Sequence, residues 1–162
     1  MRLWPLTENT PKPLLEIGGK PILFTILDQL IAAGVGKIYL ALNYRGTSIR
    51  EAIEKEQILS KRVKFIEETK RLGTAGPISL IPDRPSGPFV IMNGDLLTKV
   101  AIDEMLRFHL HERNVLTVAL REEYFQVPFG VARVEGTRVL AITEKPNMTH
   151  FINTGIYIAE PY

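Results

Sequence analysis

Residues 20–43 read KPILFTILDQLIAAGVGKIYLALN, and the period of their apolar pattern changes part-way. From Lys20 to Ala33 the apolar residues Ile22, Ile26, Leu27 and Leu30 fall on one helical face. Pro21 stands at the start, where the first turn has no use for its missing N–H, and Gly34 stands just past the end. Lys37 to Asn43 is then a short apolar run rich in strand formers, and it reads as a buried strand. A helix feeding a buried strand is the unit of an α/β fold.

Working outward, Ser48 followed three residues later by Glu51 is a capping-box signal and predicts a helix through Glu56. Val63 to Glu67 reads as the next strand, Pro77 to Ile81 as a short helix, and Pro88 to Asn93 as another strand. Ala101 to Arg113 predicts a helix facing inward through Ile102, Met105 and Leu106, and Leu116 to Leu120 a strand. Strands apolar on both faces that alternate with helices predict a Rossmann-like α/β layered domain, its mainly parallel sheet flanked by helices. After about residue 128 the texture changes: Gly130 to Val134, a turn at Glu135-Gly136, Val139 to Thr143 and Ile152 to Ala159 read as strands with no helix between them. This predicts a small antiparallel β extension.

The length of 162 residues suits one domain spanning 1–162, and 45% apolar with 23% charged residues describes a soluble chain able to bury a core. A net charge of +2 spread along the chain argues against nucleic acid and anionic membranes but leaves an acidic small substrate open. The absence of cysteine excludes a disulfide framework and a thiolate metal site. The start MRLWPLTENTPKP lacks the apolar core of a signal peptide. Apolar runs of about 5 to 8 residues fall short of the roughly 20 of a membrane helix, so a cytoplasmic location is expected.

In an open α/β sheet, ligands sit beyond the carboxyl ends of the strands. Asn93-Gly94-Asp95 occupies such a place; the Asp95 carboxylate can hold Mg²⁺ with phosphates completing the shell, or it can cap a turn. Leu72 to Gly76 (LGTAG) precedes a helix, where its glycines either admit a ligand against exposed N–H groups or make an ordinary strand-to-helix turn. Arg2 and Lys12 bracket a stiff proline-rich segment, and they either grip phosphates or belong to a solvated basic tail. Glu144-Lys145-Pro146 offers a carboxylate for hydroxyls and an ammonium for a phosphate, or a plain surface ion pair.

In combination and in this order, RLxPLTxxxPKPLLxIGGKPI, LGTAG, NGD, FGV, EKP and NxGIY resemble the sugar-1-phosphate nucleotidylyltransferases over essentially the whole chain. The resemblance is closest to the bacterial members that load nucleotides, often guanylyl, onto hexosamine, heptose or mannose 1-phosphates. It implies an enzyme in which a sugar 1-phosphate attacks the α-phosphate of an NTP such as GTP, releasing pyrophosphate and giving an NDP-sugar. Catalysis then rests on positioning and charge neutralisation, with Mg²⁺ as cofactor. By position, Arg2 and Lys12 would bind the triphosphate, Gly73 and Thr74 would lie against the nucleotide, and Asp95 would hold Mg²⁺. Lys145 would grip the sugar phosphate, while Asn93, Gly130, Glu144 and Asn153 would line the sugar side, with Thr154 a weaker neighbour.

Departures from the family pattern matter as much. Family members begin with an apolar strand and a GGxGT loop directly before the arginine, yet Met1 stands immediately before Arg2. The chain also stops at Tyr162, before the later aspartate that gives the family a second metal ligand. A domain shortened at both ends is expected to transfer nucleotides weakly or not at all, because side-chain cations do not surround a triphosphate as a nest of N–H groups does. The absent strand would be central, so a homo-oligomer completing the sheet is expected. The alternative is a non-catalytic sugar-nucleotide-binding or regulatory module that assembles with a full-length relative.

Other classes fit less well. No G-x-G-x-x-G occurs, which speaks against a generic dinucleotide binder. His109 and His111 point to different helix faces and His150 is isolated, so a zinc site is not expected and these histidines read as solvated or structural. Trp4 either stacks on a base or, the reading preferred, anchors its proline-rich loop onto the core.

Overall fold

The computed structural model describes residues 6–8, 10–43, 46–70 and 72–161. Arg2 and Trp4 lie outside them. A 3₁₀ turn at Lys12–Leu14 follows Pro11 and leads into a minimal hairpin in which β1 (Glu16–Ile17) pairs antiparallel with β2 (Lys20–Pro21). Helix α1 spans Ile22–Ala32 with Pro21 as its N-cap, and it buries Ile22, Leu23, Ile26, Leu27 and Leu30. Its end is a Schellman motif: Val35 N–H bonds to Leu30 C=O and Gly34 N–H to Ile31 C=O, both at 3.0 Å, with Gly34 at φ 87°.

Strand β3 (Ile38–Leu42) pairs in parallel with β4 (Val63–Glu67), Ile38 opposite Val63 and Leu42 opposite Glu67. Between them lie α2 (Gly46–Glu54) and the short α3 (Leu59–Arg62). The capping-box expectation fails here. Gly46 N–H bonds to Asn43 C=O at 2.8 Å, which begins the helix early and leaves Ser48 inside it rather than at its cap. The predicted Pro77 to Ile81 helix is a 3₁₀ helix at Gly76–Leu80.

Strand β5 (Phe89–Met92) and helix α4 (Ile102–Glu112) follow. Ile102 is buried and Met105 and Leu106 are half-buried, as the helical pattern requires. Beyond α4 come β6 (Leu116–Gln126), β7 (Val131–Glu135), β8 (Arg138–Thr143) and β9 (Asn147–Ala159). Strands β6 and β9 run well past the predicted Leu116 to Leu120 and Ile152 to Ala159. Polar residues such as Arg121, Glu122 and Glu123 conceal them from any search for apolar runs.

Sheet pairing among the described residues is divided. β3 and β4 form one sheet, β5, β9 and β6 a second in that order, and β7 and β8 an antiparallel third. Residues of the first two sheets nevertheless meet one core: Ile38 and Val63 belong to the buried cluster around α1, and Val90 and Met92 of β5 pack against it. No residue of β5 is fully buried, although all four are apolar. The fold is α/β, with parallel pairing in β3 and β4 and antiparallel pairing in the later hairpin.

The chain divides into two compact units, Met1–Thr117 with Tyr157–Tyr162, and Val118–Ile156. No helix among the described residues is long and apolar enough to cross a membrane.

Candidate functional site

In the first unit, the rigid turn after Pro11 presents Lys12, and the segment leaving β5 presents Asp95. Pro11 and Pro13 flank Lys12, while Leu14 N–H bonds to Pro11 C=O at 2.8 Å, so the backbone is fixed and the long side chain is free to reach. Lys12 Nζ donates to Asp95 Oδ2 at 2.5 Å across 83 residues of sequence. The two side chains remain 45% and 36% exposed, open to a ligand. Asn93 is half-buried two residues before Asp95. The segment is backed by α1: Leu23 Cδ1 lies 3.8 Å from the place a Cβ on Gly94 would take, and Gln29 Nε2 donates to Thr98 C=O at 2.7 Å.

The Leu72-to-Gly76 loop also lies in this unit. Gly73 takes φ 78°, and a Cβ on Gly76 would stand 2.4 Å from Leu72 Cβ, so the turn into the 3₁₀ helix demands glycine at both positions. Gly73 and Thr74 are exposed, and Glu68 Oε2 accepts the N–H of Leu72 at 3.2 Å. Sequence reasoning missed a neighbouring groove of about 260 Å³ at the carboxyl ends of β3 and β4. It is lined by Asn43, Arg50, Glu67 and Glu68 among others and contains none of the predicted site residues. There Arg50 Nη2 donates to Glu67 Oε1 at 3.0 Å while the guanidinium lies 4.3 Å from the centroid of the Phe65 ring. Position immediately after two strands was the signal that could have found it.

The second unit holds the other predicted residues. The β7–β8 register puts Val131 opposite Thr143, which brings the preceding Gly130 and the following Glu144 to one end of the hairpin. A Cβ on Gly130 would stand 3.0 Å from Glu144 Oε2 and 3.4 Å from Ile142 Cγ2, so the glycine makes room for the carboxylate. Lys145 takes φ 44°, a left-handed conformation costly for a side chain other than glycine, and its side chain is exposed. On β9, Asn153 Oδ1 accepts the N–H of Gly155 at 2.9 Å, and Thr154 Oγ1 donates to Ala119 C=O at 2.7 Å.

Lys12, Asp95 and Asn93, with the Gly73-Thr74 loop, thus belong to one unit, and Gly130, Glu144, Lys145 and Asn153 to the other. His109 carries no site. It is fully buried in α4, its Nδ1 2.8 Å from Thr117 Oγ1 and its Nε2 3.3 Å from Glu160 Oε1, a polar tie between α4 and the starting end of β6.

The glycine-bearing loop before a short helix is where the sequence put it, whereas the pairing of Lys12 with Asp95 is seen only in the fold. The family model for nucleotidyl transferases matches residues 1–161. The chain belongs to the nucleotidyl transferase family. Over 99% of its length it is 34% identical to the mannose-1-phosphate guanylyltransferase catalytic subunit beta of Xenopus tropicalis, of which it covers 47%. It is 35% identical to the mannose-1-phosphate guanyltransferase of Yarrowia lipolytica, covering 46% of that protein. This nucleotidyl transferase chain therefore spans about half the length of such relatives. Among solved structures, HddC from Yersinia pseudotuberculosis in complex with GMP-PN superposes with a TM-score of 0.68 at 27% identity, over 98% of this chain and 71% of that one. A glucose-1-phosphate thymidylyltransferase described from Bacillus anthracis shares the fold, with a TM-score of 0.68 at 20% identity.

Proposed function

We propose that the protein transfers a nucleotidyl group from an NTP to a sugar 1-phosphate, releasing pyrophosphate and forming an NDP-sugar. GTP is the proposed donor and a mannose-like or heptose 1-phosphate the proposed acceptor, since the relatives at 34% identity are named mannose-1-phosphate guanylyltransferases. The observation that carries this reading is the Lys12–Asp95 pair, which brings a phosphate-binding cation and a metal-binding carboxylate together from opposite parts of the sequence.

In the proposed reaction a sugar phosphate oxygen attacks the α-phosphorus, forming an O–P bond as the bond to the bridging oxygen of pyrophosphate breaks. Lys12 neutralises triphosphate oxygens, joined by Arg2 from outside the described residues. Gly73 and Thr74 lie against the nucleotide, on a loop whose backbone shape is set by its glycines. Lys145 draws the sugar phosphate, and Asn93, Gly130, Glu144 and Asn153 orient the sugar.

Mg²⁺ suits this donor set. No group of three or more His, Cys, Asp or Glu gathers among the described residues, so no all-protein cage is present, and Mg²⁺ needs only one or two carboxylates, of which Asp95 would be one, with substrate phosphates and water. When bound it would supply charge neutralisation on the phosphates. A cytoplasmic location, where nucleoside triphosphates are at hand, is part of this proposal.

The division of the α/β half into separate sheets supports a further strand joining them, with a second copy of the chain as the proposed partner. The 162 residues contain no G-G-x-G-T, so we expect slow transfer by these residues alone. A second reading, a binding module that assembles with a longer relative, is favoured by one observation: Phe129, Ile142 and Phe151 are at least 70% exposed.

The test is pyrophosphate release with Mg²⁺, four NTPs and several sugar 1-phosphates. It compares the chain with a version extended upstream by the family's apolar strand and glycine loop. Turnover by the extended version, with GTP preferred, supports the enzyme reading, and sugar-nucleotide binding without turnover in either version supports the module. Neither turnover nor binding contradicts both.

A further inference from the structure

The Lys12–Asp95 pair has a consequence for how a metal reaches the site. We propose that Lys12 guards Asp95 against free divalent cations, so that cation and nucleoside triphosphate bind there together. The inference rests on the reading of Asp95 as the metal carboxylate.

Asp95 Oδ2 already accepts from the Lys12 ammonium at 2.5 Å. A bare dication would have to displace that ammonium from Asp95 and give up the ion pair, and the ammonium stays tethered within reach because the Lys12 backbone is held between two prolines and by the Leu14 N–H bond to Pro11 C=O. A triphosphate removes the conflict. Its oxygens take the ammonium while also ligating the cation, and the four-carbon lysine stem lets the point charge change partner without moving the turn. No cluster of three or more metal-ligating side chains elsewhere among the described residues competes for the ion. Partial exposure of both side chains leaves the exchange open to solvent-borne ligands.

The probe is Mn²⁺, followed by paramagnetic broadening of the backbone amide signals of Gly94, Asp95 and Leu96 in the intact chain, with and without GTP. Lys12→Met should broaden at roughly tenfold to thirtyfold lower Mn²⁺ than the wild type, the effect of removing a unit charge near 4 Å from a dication in a mostly aqueous, salt-screened surrounding. Lys12→Gln should behave in the same way and serves if the Met variant folds poorly. GTP should bring the wild type into the range of the variants, and Asp95→Asn should abolish the response in every background. Equal broadening of wild type and both Lys12 variants without nucleotide overturns the guarding role alone. Silence of these amides in every sample, GTP included, overturns the metal reading of Asp95 and the guarding role with it.

Discussion

The two units are stabilised by different means. The first buries Leu23, Leu27 and Ile53 to 1% exposure or less around α1, and every helix among the described residues belongs to it. In the second, Ile156 is the only buried hydrophobic residue among the described residues, and each residue from 128 to 145 is exposed. The lesson is that the layered half carries its own core, whereas the hairpin half keeps its shape through strand pairing and leaves its apolar side chains exposed. The proposed chemistry follows the same division. The residues proposed for the metal and nucleotide belong to the packed unit, and those proposed for the sugar, Asn93 apart, to the unit that holds the hairpin.

The sharpest way to break this comparison is to remove equal apolar bulk from each unit. Leu23→Ala should cost about 2–5 kcal/mol, the range for a buried leucine, while Ile142→Ala, at a side chain 70% exposed, should stay within about 0.5 kcal/mol. Urea unfolding of the two variants checks this, and similar losses would show that the hairpin is packed in solution.

The next largest effect separates the proposed chemistry of the two units. In the extended chain, Asp95→Asn should lower turnover about a hundredfold, as the loss of a charge-organising group does. Gly130→Ala displaces the Glu144 carboxylate and should raise KM for the sugar 1-phosphate about fivefold, the worth of one hydrogen bond, with KM for the nucleotide unchanged. Steady-state kinetics with each substrate varied in turn distinguish the two.

A smaller change refines the account of the packed frame. Helix α4 ends like α1, Asn114 N–H bonding to His109 C=O at 3.1 Å, but with Arg113 at φ 53° where α1 has glycine. Arg113→Gly should therefore raise stability by about 1 kcal/mol, seen as a higher thermal midpoint.

The smallest effect lies at the amino ends of β3 and β4. Asp83 accepts from Lys37 Nζ at 2.9 Å and from Tyr39 OH at 3.0 Å. The hydrogen bond from Lys37, then that from Tyr39, lowers the Asp83 pKa, while the bond to Asp83 raises that of Lys37. A lowered carboxylate pKa gives stability that is present above the unfolded carboxylate value and lost as pH falls through the folded one. A raised lysine pKa gives stability that is present below the unfolded lysine value and lost as pH rises through the folded one. Asp83→Asn should remove a slight gain confined to the window between them, and wild-type and variant midpoints should converge in acid. Lys37 and Asp83 are both exposed, so the difference will be small and should shrink further in salt.

Much of the first unit was legible in the sequence because its signals are local and periodic. Ile22 to Leu30 mark one helical face, Gly34 marks its end, and Val63 to Glu67 is the observed β4. The pairing of Lys12 with Asp95 was not legible as a contact, since only the folded chain joins residues so far apart. Ser48 misled because a capping signal does not weigh the turn that Gly46 makes with Asn43. The lengths of β6 and β9 were hidden because an exposed strand needs no apolar pattern, and the buried His109 was hidden because its partners, Thr117 and Glu160, follow it at unrelated spacings.

The most direct test of the division between units is to map amide shifts across the chain on titration with Mg²⁺–GTP and, separately, with a sugar 1-phosphate. We expect the nucleotide to move signals at Gly73, Thr74 and Asp95, and the sugar phosphate to move those at Gly130, Glu144, Lys145 and Asn153, with Asn93 responding to the sugar from within the first unit. A sugar phosphate that perturbs only the first set, or a nucleotide that perturbs only the second, would contradict it.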